Sequence, residues 1–168
     1  MKRNIIFKGT IFVAILTFTL FFYGCKQKDE NTKTIGAILP LTGSSSTLGQ
    51  WHKDGIDFFM YKSDSVQKKI YEVVYEDSKN EAKEGINAYR KLKATGVDML
   101  FSAMSGVSVP LKAFASKDNI PMYVTSVSQP QFTSDNLKNI IRYNLTSDKE
   151  SLLVLEEIFK RGKKGLNF

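Results

Sequence analysis

The stretch VDMLFSAMSGVSVPLKAFASKDNIPMYV, residues 97–124, decides how the chain folds. It opens on a short apolar run, 97–101, that reads as a buried strand. Ser102-Ala103-Met104-Ser105-Gly106 follows as a small, hydroxyl-rich loop. A helix is expected over 106–116, with Ser105 or Ser108 near its cap and Pro110 in its first turn, where a missing N–H costs little. Residues 121–124 then read as another strand. Strand, helix and strand at these lengths form a βαβ unit, whose two strands lie parallel.

The alternation continues outward on both sides. Residues 34–39 are an apolar strand stopped by Pro40, and 41–49 is a loop rich in Gly and Ser. Trp51, Gly55, Phe58, Phe59 and Lys62 recur at helical spacing and predict a helix with one largely apolar face, Trp51 lining its core side. Residues 70–75 read as a second strand. Ser78 and Glu81 have capping-box spacing ahead of a helix with Ala82, Ile86, Tyr89 and Leu92 on one side, ended by Gly96. Downstream, Ile140 and Ile141 mark a fifth strand and 147–160 a long helix. The fold class is therefore α/β, a parallel sheet flanked by helices.

The N-terminus has a different character. Met1-Lys2-Arg3 is basic, 10–23 is uncharged and dominated by Ile, Phe, Leu and Val, and Gly24-Cys25 precedes the polar run Lys26-Gln27-Lys28-Asp29-Glu30-Asn31. That order is a secretory signal peptide over 1–24. Cys25 after Gly24 resembles the lipobox of bacterial lipoproteins, with Phe22 where that family usually has Leu. The resemblance implies that Cys25 carries the lipid and begins the mature chain. Residues 25–33 read as a polar tether. The rest of the chain is thus placed outside the cytoplasm, lipid-anchored to a bacterial membrane. An uncleaved spanning helix is the alternative, although the uncharged run is shorter than the roughly 20 residues that cross a bilayer comfortably.

Composition removes several function classes. The chain of 168 residues carries a formal charge of +7. Lys2, Arg3 and Lys8 fall in the leader, so beyond it 21 basic residues face 17 acidic ones, a spread-out excess without an arginine-rich block. Nucleic-acid binding has little support there. Lys160, Arg161, Lys163 and Lys164 read as a solvated helix end favoured by the helix dipole. One cysteine and one histidine leave no disulfide framework and no cysteine or histidine cluster for a metal, and none is expected. His52 reads as an exposed helix residue with no nucleophile to serve. No phosphate-binding glycine motif or nucleophile elbow occurs. No cofactor is expected, and an enzyme ranks last.

Ligands of parallel sheets bind beyond the carboxyl ends of the strands. Here those ends are 39–49, 75–80, 101–106 and 124–130, all rich in Ser, Thr, Gly or Asn. Two loops stand out. Ser102-Ala103-Met104-Ser105-Gly106 leads into a helix N-terminus, where hydroxyls and amides favour an anion such as a carboxylate. Thr125-Ser126-Val127-Ser128-Gln129-Pro130 leaves the neighbouring strand on the same edge. Serines also cap helices and fill turns in any α/β protein, and composition alone does not separate the two roles.

Ile35-Gly36-Ala37-Ile38-Leu39-Pro40-Leu41-Thr42-Gly43, then Leu48-Gly49-Gln50 and Gly55, resembles the opening of type I periplasmic solute-binding proteins. More narrowly, it is similar to the branched-chain amino-acid (leucine/isoleucine/valine) receptors of ABC importers. The likeness continues through Tyr75-Glu76-Asp77-Ser78, Tyr89-Arg90-Lys91-Leu92, Ser105, Pro110, Ile120-Pro121-Met122, Gln129-Pro130, Arg142 and Ser147-Asp148. It implies a non-enzymatic, extracytoplasmic receptor with a small-molecule ligand, an amino acid, and an ABC permease as partner. By the same resemblance, Ser105 and Ser128 bind the ligand carboxylate, and the Ser126 carbonyl accepts from its ammonium group. Leu48 stands where such receptors often place an aromatic residue against the ligand side chain. Trp51 is a second ligand-proximal candidate. Asp77 forms a turn first and contacts ligand second.

Receptors of this family close two lobes over the ligand. Residues 34–168 are expected to be an incomplete first lobe of that two-lobe fold, a truncated form with reduced binding or none. Two rival readings are a ligand-sensing module that docks on a signalling receptor and a structural envelope lipoprotein.

Overall fold

The first strand, β1 (Lys33–Leu39), is buried on both faces over its last four residues. The computed structural model describes residues 31–64 and 70–162. Strand β2 (Tyr71–Asp77) pairs with β1 on one side and β3 (Met99–Ala103) on the other. Strands β4 (Met122–Thr125) and β5 (Ile140–Arg142) extend the sheet beyond β3. The order is β2-β1-β3-β4-β5 and every pairing is parallel, the α/β arrangement that the alternating pattern predicts.

Side chains alternate across β1 and so meet different partners. On one face Ile38, Leu100, Met122 and Val124 are fully buried under α2 (Ala82–Thr95) and α3 (Ser105–Lys117). Those helices supply Ala88, Tyr89, Leu92, Val107 and Leu111 to the same core. They approach closely at Gly85, where a Cβ would stand 2.6 Å from Val107 Cγ1. Tyr89 donates its hydroxyl proton to the Asp118 carboxylate, with Phe114 O 3.2 Å from the same oxygen, closing the far end of the pair. Gly96 ends α2 in the left-handed conformation at φ 78°, as its position predicts.

On the other face, Ala37, Leu39 and Ala103 form a smaller core with Ile56 of α1 (Ser46–Lys62). This helix begins inside the expected loop, three residues before Gly49. Gly49 is buried, and a Cβ there would come within 2.0 Å of Pro40 O, so only glycine permits this approach. The sheet-facing side of α1 is Gly49, His52, Ile56 and Met60. The apolar face expected from Trp51, Phe58 and Phe59 points outward instead, and these side chains are 65%, 61% and 59% exposed. Trp51 therefore does not line the core side, and His52 is half-buried rather than exposed.

Two expected caps also resolve differently. Ser78 does not cap α2. It is buried, its N–H donates to Leu39 O at 2.8 Å, and its carbonyl accepts from Glu81 N. The chain turns through Lys79 and Asn80, at φ 51° and 60°, before Glu81 takes the cap position without a side-chain bond. Ser108 lies inside α3, buried and hydrogen-bonded to Ser102 Oγ at 2.9 Å. Helix α3 starts at Ser105, which puts Pro110 in the second turn.

Strand β1 starts at Lys33, the last residue of the expected tether, whose ammonium pairs with Asp98 at 3.2 Å. The last helix, α4 (Ser147–Gly162), buries none of its residues. The expected signal peptide, the expected lipid-bearing Cys25 and the expected tether as far as residue 30 lie outside the described residues. Among the described residues, no helix is long and apolar enough to cross a membrane.

Candidate functional site

Parallel strands deliver their carboxyl ends to one edge, and this sheet switches direction there. From β1 the chain moves outward to β2 and then returns past β1 to β3. The crevice beyond β1 and β3 lies between the starts of α1 and α3. Non-glycine backbone in the left-handed region collects along this edge, with Lys79, Asn80, Met104 at φ 75° and Ser126 at φ 56°. Such conformations cost of order 1–3 kcal/mol each and cluster where a site demands them.

Ser105 is the first residue of α3, and no side chain caps that helix. Its half-buried hydroxyl and the first-turn amides meet the positive end of the helix dipole, a setting that suits an anion. The register Ala103↔Thr125 brings the next loop alongside, and Met104 N donates to Thr125 O at 3.3 Å. Ser126 and Ser128 are exposed on this loop, while Val127 between them is fully buried. The structure thus sets the Ser105 and Ser126 segments on adjacent strand ends with their hydroxyl-bearing residues outward.

Three residues outside the expected site hold the second loop. Asn144 accepts from Val127 N at 3.1 Å and donates back to Val127 O at 3.0 Å. Arg142 donates to Gln129 O at 2.6 Å and to Thr133 Oγ1 at 2.9 Å. His52 Nε2 lies 3.5 Å from Ser126 Oγ. The helix pattern around His52 offered no sign of this, because the contact joins residues 74 apart. Arg142 falls within the resembling stretch but carried no role there.

The remaining expected residues sit around the rim. Leu48, in the first turn of α1, is 39% exposed. Trp51 borders the clefts on either side of α1. Asp77 is committed to structure, since its carboxylate accepts from Leu41 N at 2.9 Å, Thr42 N at 3.2 Å, Thr42 Oγ1 and Lys79 N at 2.9 Å. Burial pulls its carboxyl upward, but these hydrogen bonds outweigh burial and hold it below the usual carboxylate range. Asn80 links the same rim to α1 by donating to Ser45 Oγ at 3.1 Å. Among the described residues, no group of three or more His, Cys, Asp or Glu could hold a metal.

This arrangement has known counterparts. The sequence profile of the periplasmic binding protein family matches residues 32–164. A Leu/Ile/Val-binding protein homologue of Brucella abortus is 26% identical over 136 residues, covering 77% of this chain and 37% of its own. A solute-binding protein of an ABC transporter from Rhodopseudomonas palustris, solved with 3,4-dihydroxybenzoic acid, superposes with a TM-score of 0.71 at 20% identity. That match covers 79% of this chain and 37% of the other. A leucine-binding protein of Thermotoga maritima superposes with a TM-score of 0.68 at 23% identity over 77% of this chain and 37% of its own. The chain spans about 37% of the length of the curated relatives it matches. Those relatives are binding proteins, not enzymes.

Proposed function

The chain belongs to the periplasmic binding protein family, and from that premise we propose that it carries the carboxylate-gripping wall of an amino-acid site serving an ABC importer. The observation that carries this reading is the pairing of Ser105, at the uncapped start of α3, with the Ser126–Ser128 loop on the next strand. Ser105 and Ser128 take the carboxylate through hydroxyls and amides. The Ser126 carbonyl takes the ammonium group. Two lines of similarity support a carboxylate handle. The relatives named above are a Leu/Ile/Val-binding protein homologue, a leucine-binding protein and a protein solved with an aromatic acid, and these ligands share a carboxylate. The amino acid is the choice made here because the matching sequence relatives are Leu/Ile/Val-binding homologues.

Leu48 and Trp51 stand at the rim where the ligand side chain would lie, and Asp77 shapes the wall without touching ligand. Cys25 carries a lipid that keeps the receptor on the extracytoplasmic side of a bacterial membrane, periplasmic or cell-surface, and the polar residues after it are its tether. The contacts named here come from one sheet edge, so they grip from one side only. One-sided grips leave much of the ligand in water and bind weakly.

Amide NMR titration with leucine tests this. Millimolar leucine is expected to shift Ser105, Ser126 and Ser128, and Ser105→Ala with Ser128→Ala is expected to abolish the shifts. Micromolar leucine is expected to leave the melting temperature unchanged. Leucine shifts that survive the double substitution would remove these serines from the site, and a clear thermal shift at micromolar ligand would contradict a one-sided grip.

A further inference from the structure

His52 is the single histidine of the chain, and the ligand reading above gives it no part. Its surroundings nonetheless fix it tightly. Nδ1 lies 2.6 Å from Leu48 O, one helical turn back. A carbonyl oxygen only accepts, so Nδ1 must carry a proton. In the neutral ring the lone pair then sits on Nε2, the nitrogen that faces Ser126 Oγ at 3.5 Å. The imidazole is also braced against Phe101, with ring centroids 6.3 Å apart and planes inclined at 53°. Phe101 is itself stacked on Tyr123 at 5.8 Å. The ring is therefore aimed by one contact and steadied by another.

The group it faces is unusual in its own right. Ser126 is a non-glycine residue at φ 56° on an exposed loop. The left-handed conformation is strained for a residue with a Cβ. Asn144 holds the following residue by both backbone groups. That grip fixes the Val127 peptide but not the rotation of the Ser126 side chain. The contact from His52, on α1, supplies that missing constraint.

We infer that His52 is a positioning residue of the ligand site, its Nε2 accepting from the Ser126 hydroxyl and so fixing the Ser126 side chain beside the carbonyl that meets the ligand ammonium. The inference rests on the amino-acid reading for its ligand but not for its geometry. At 3.5 Å the bond is slack, and it shortens when ligand draws the Ser126 peptide into place. Leu48, His52 and Ser126 then form one relay across the crevice, from the rim of α1 to the β4 loop.

The single histidine makes a ligand-free test direct, because its ring nitrogens need no assignment by mutation. In nitrogen-labelled protein with the ring in its neutral form, the expected spectrum has a protonated Nδ1 and an unprotonated Nε2. Ser126→Ala is expected to move the Nε2 signal and leave Nδ1 in place. The opposite tautomer, or an Nε2 signal indifferent to Ser126→Ala, would overturn the inference whatever the ligand is.

A conservative pair separates positioning from bulk. Glutamine places an amide oxygen near the Nε2 position, and asparagine reaches only the Nδ1 position. His52→Gln is expected to hold the leucine dissociation constant within about twofold. His52→Asn is expected to weaken it about fivefold, the worth of one neutral hydrogen bond. Equal affinities in the two variants would refute positioning. If the ring spectra behave as expected while the unsubstituted protein shows no leucine shifts at all, the amino-acid reading fails and the hold on Ser126 stands.

Discussion

The face of the sheet under α2 and α3 is closed, while the face under α1 is open, although the same strands make both. On the closed face Ile38, Leu100, Met122 and Val124 are wholly buried against two helices. On the open face α1 leaves a cleft of about 780 Å³ beside Ile35, Trp51, Ile56, Phe59, Val73 and Phe101. Further along that face, Phe101, Tyr123 and Tyr143 form an aromatic row with centroid separations of 5.8 Å and 6.1 Å. Tyr143 is 78% exposed. Parallel sheets are ordinarily covered on both faces. The contrast separates two tasks. The closed face holds the described residues together, and the looser side lets His52 reach over to the Ser126 loop.

The largest break in this contrast comes from a matched pair of truncations. Leu111→Ala empties a fully buried position on the closed face and is expected to cost about 2–5 kcal/mol in urea unfolding. Phe101→Ala, on the open face, removes a side chain that is only half-buried and is expected to cost less than Leu111→Ala despite the larger deletion. Equal losses would show that the open face carries as much of the stability as the closed one.

A smaller effect is expected at the rim. The hydrogen bonds that hold the Asp77 carboxyl below its usual range stabilise the fold when the group is ionised. That stability is present above the unfolded value near about 4 and is lost as pH falls through the lower folded value. Asp77→Asn is expected to flatten this acid limb of stability, measured by denaturant midpoint against pH. An unchanged limb would assign the acid sensitivity to other groups.

The smallest effect on stability is expected at α4, where Leu155 is 48% exposed. Leu155→Lys is expected to change the unfolding free energy by no more than about 0.5 kcal/mol while lowering binding of a hydrophobic dye. A loss of several kcal/mol would mean that α4 packs against the rest of the chain.

The fold was legible because its signals are local and periodic. Strands of apolar residues alternate with helices, and Gly96 ends α2 where a left-handed residue is needed. What escaped was tertiary. Gly49 looks like a loop residue, but it lies within α1 because Pro40 O leaves room for nothing larger. Trp51, Phe58 and Phe59 dominate the hydrophobic pattern of α1, yet Gly49, His52, Ile56 and Met60 face the sheet. Ser78 has capping-box spacing, but its backbone is used by Leu39 and Glu81 across the β2 turn.

The candidate site divides the same way. Ser105, Ser126 and Ser128 are readable as hydroxyls at strand ends, and the family resemblance points to the same positions. His52 and Asn144 are not readable, because each acts through a contact between distant segments, 74 and 17 residues apart. No periodicity records such a reach. Asp77 was readable in its turn-forming part, which the four hydrogen bonds from Leu41, Thr42 and Lys79 now describe.

The central claim is that the edge beyond β3 and β4 grips a carboxylate. Leucine and leucinamide differ at that group, the amide lacking the negative charge, and both keep the amino group and side chain. Titrating each while following the Ser105 and Ser128 amides isolates the carboxylate contribution. Leucine is expected to shift both amides at millimolar concentration, and leucinamide is expected to leave them unmoved over the same range. Leucinamide shifts equal to those of leucine would contradict the account.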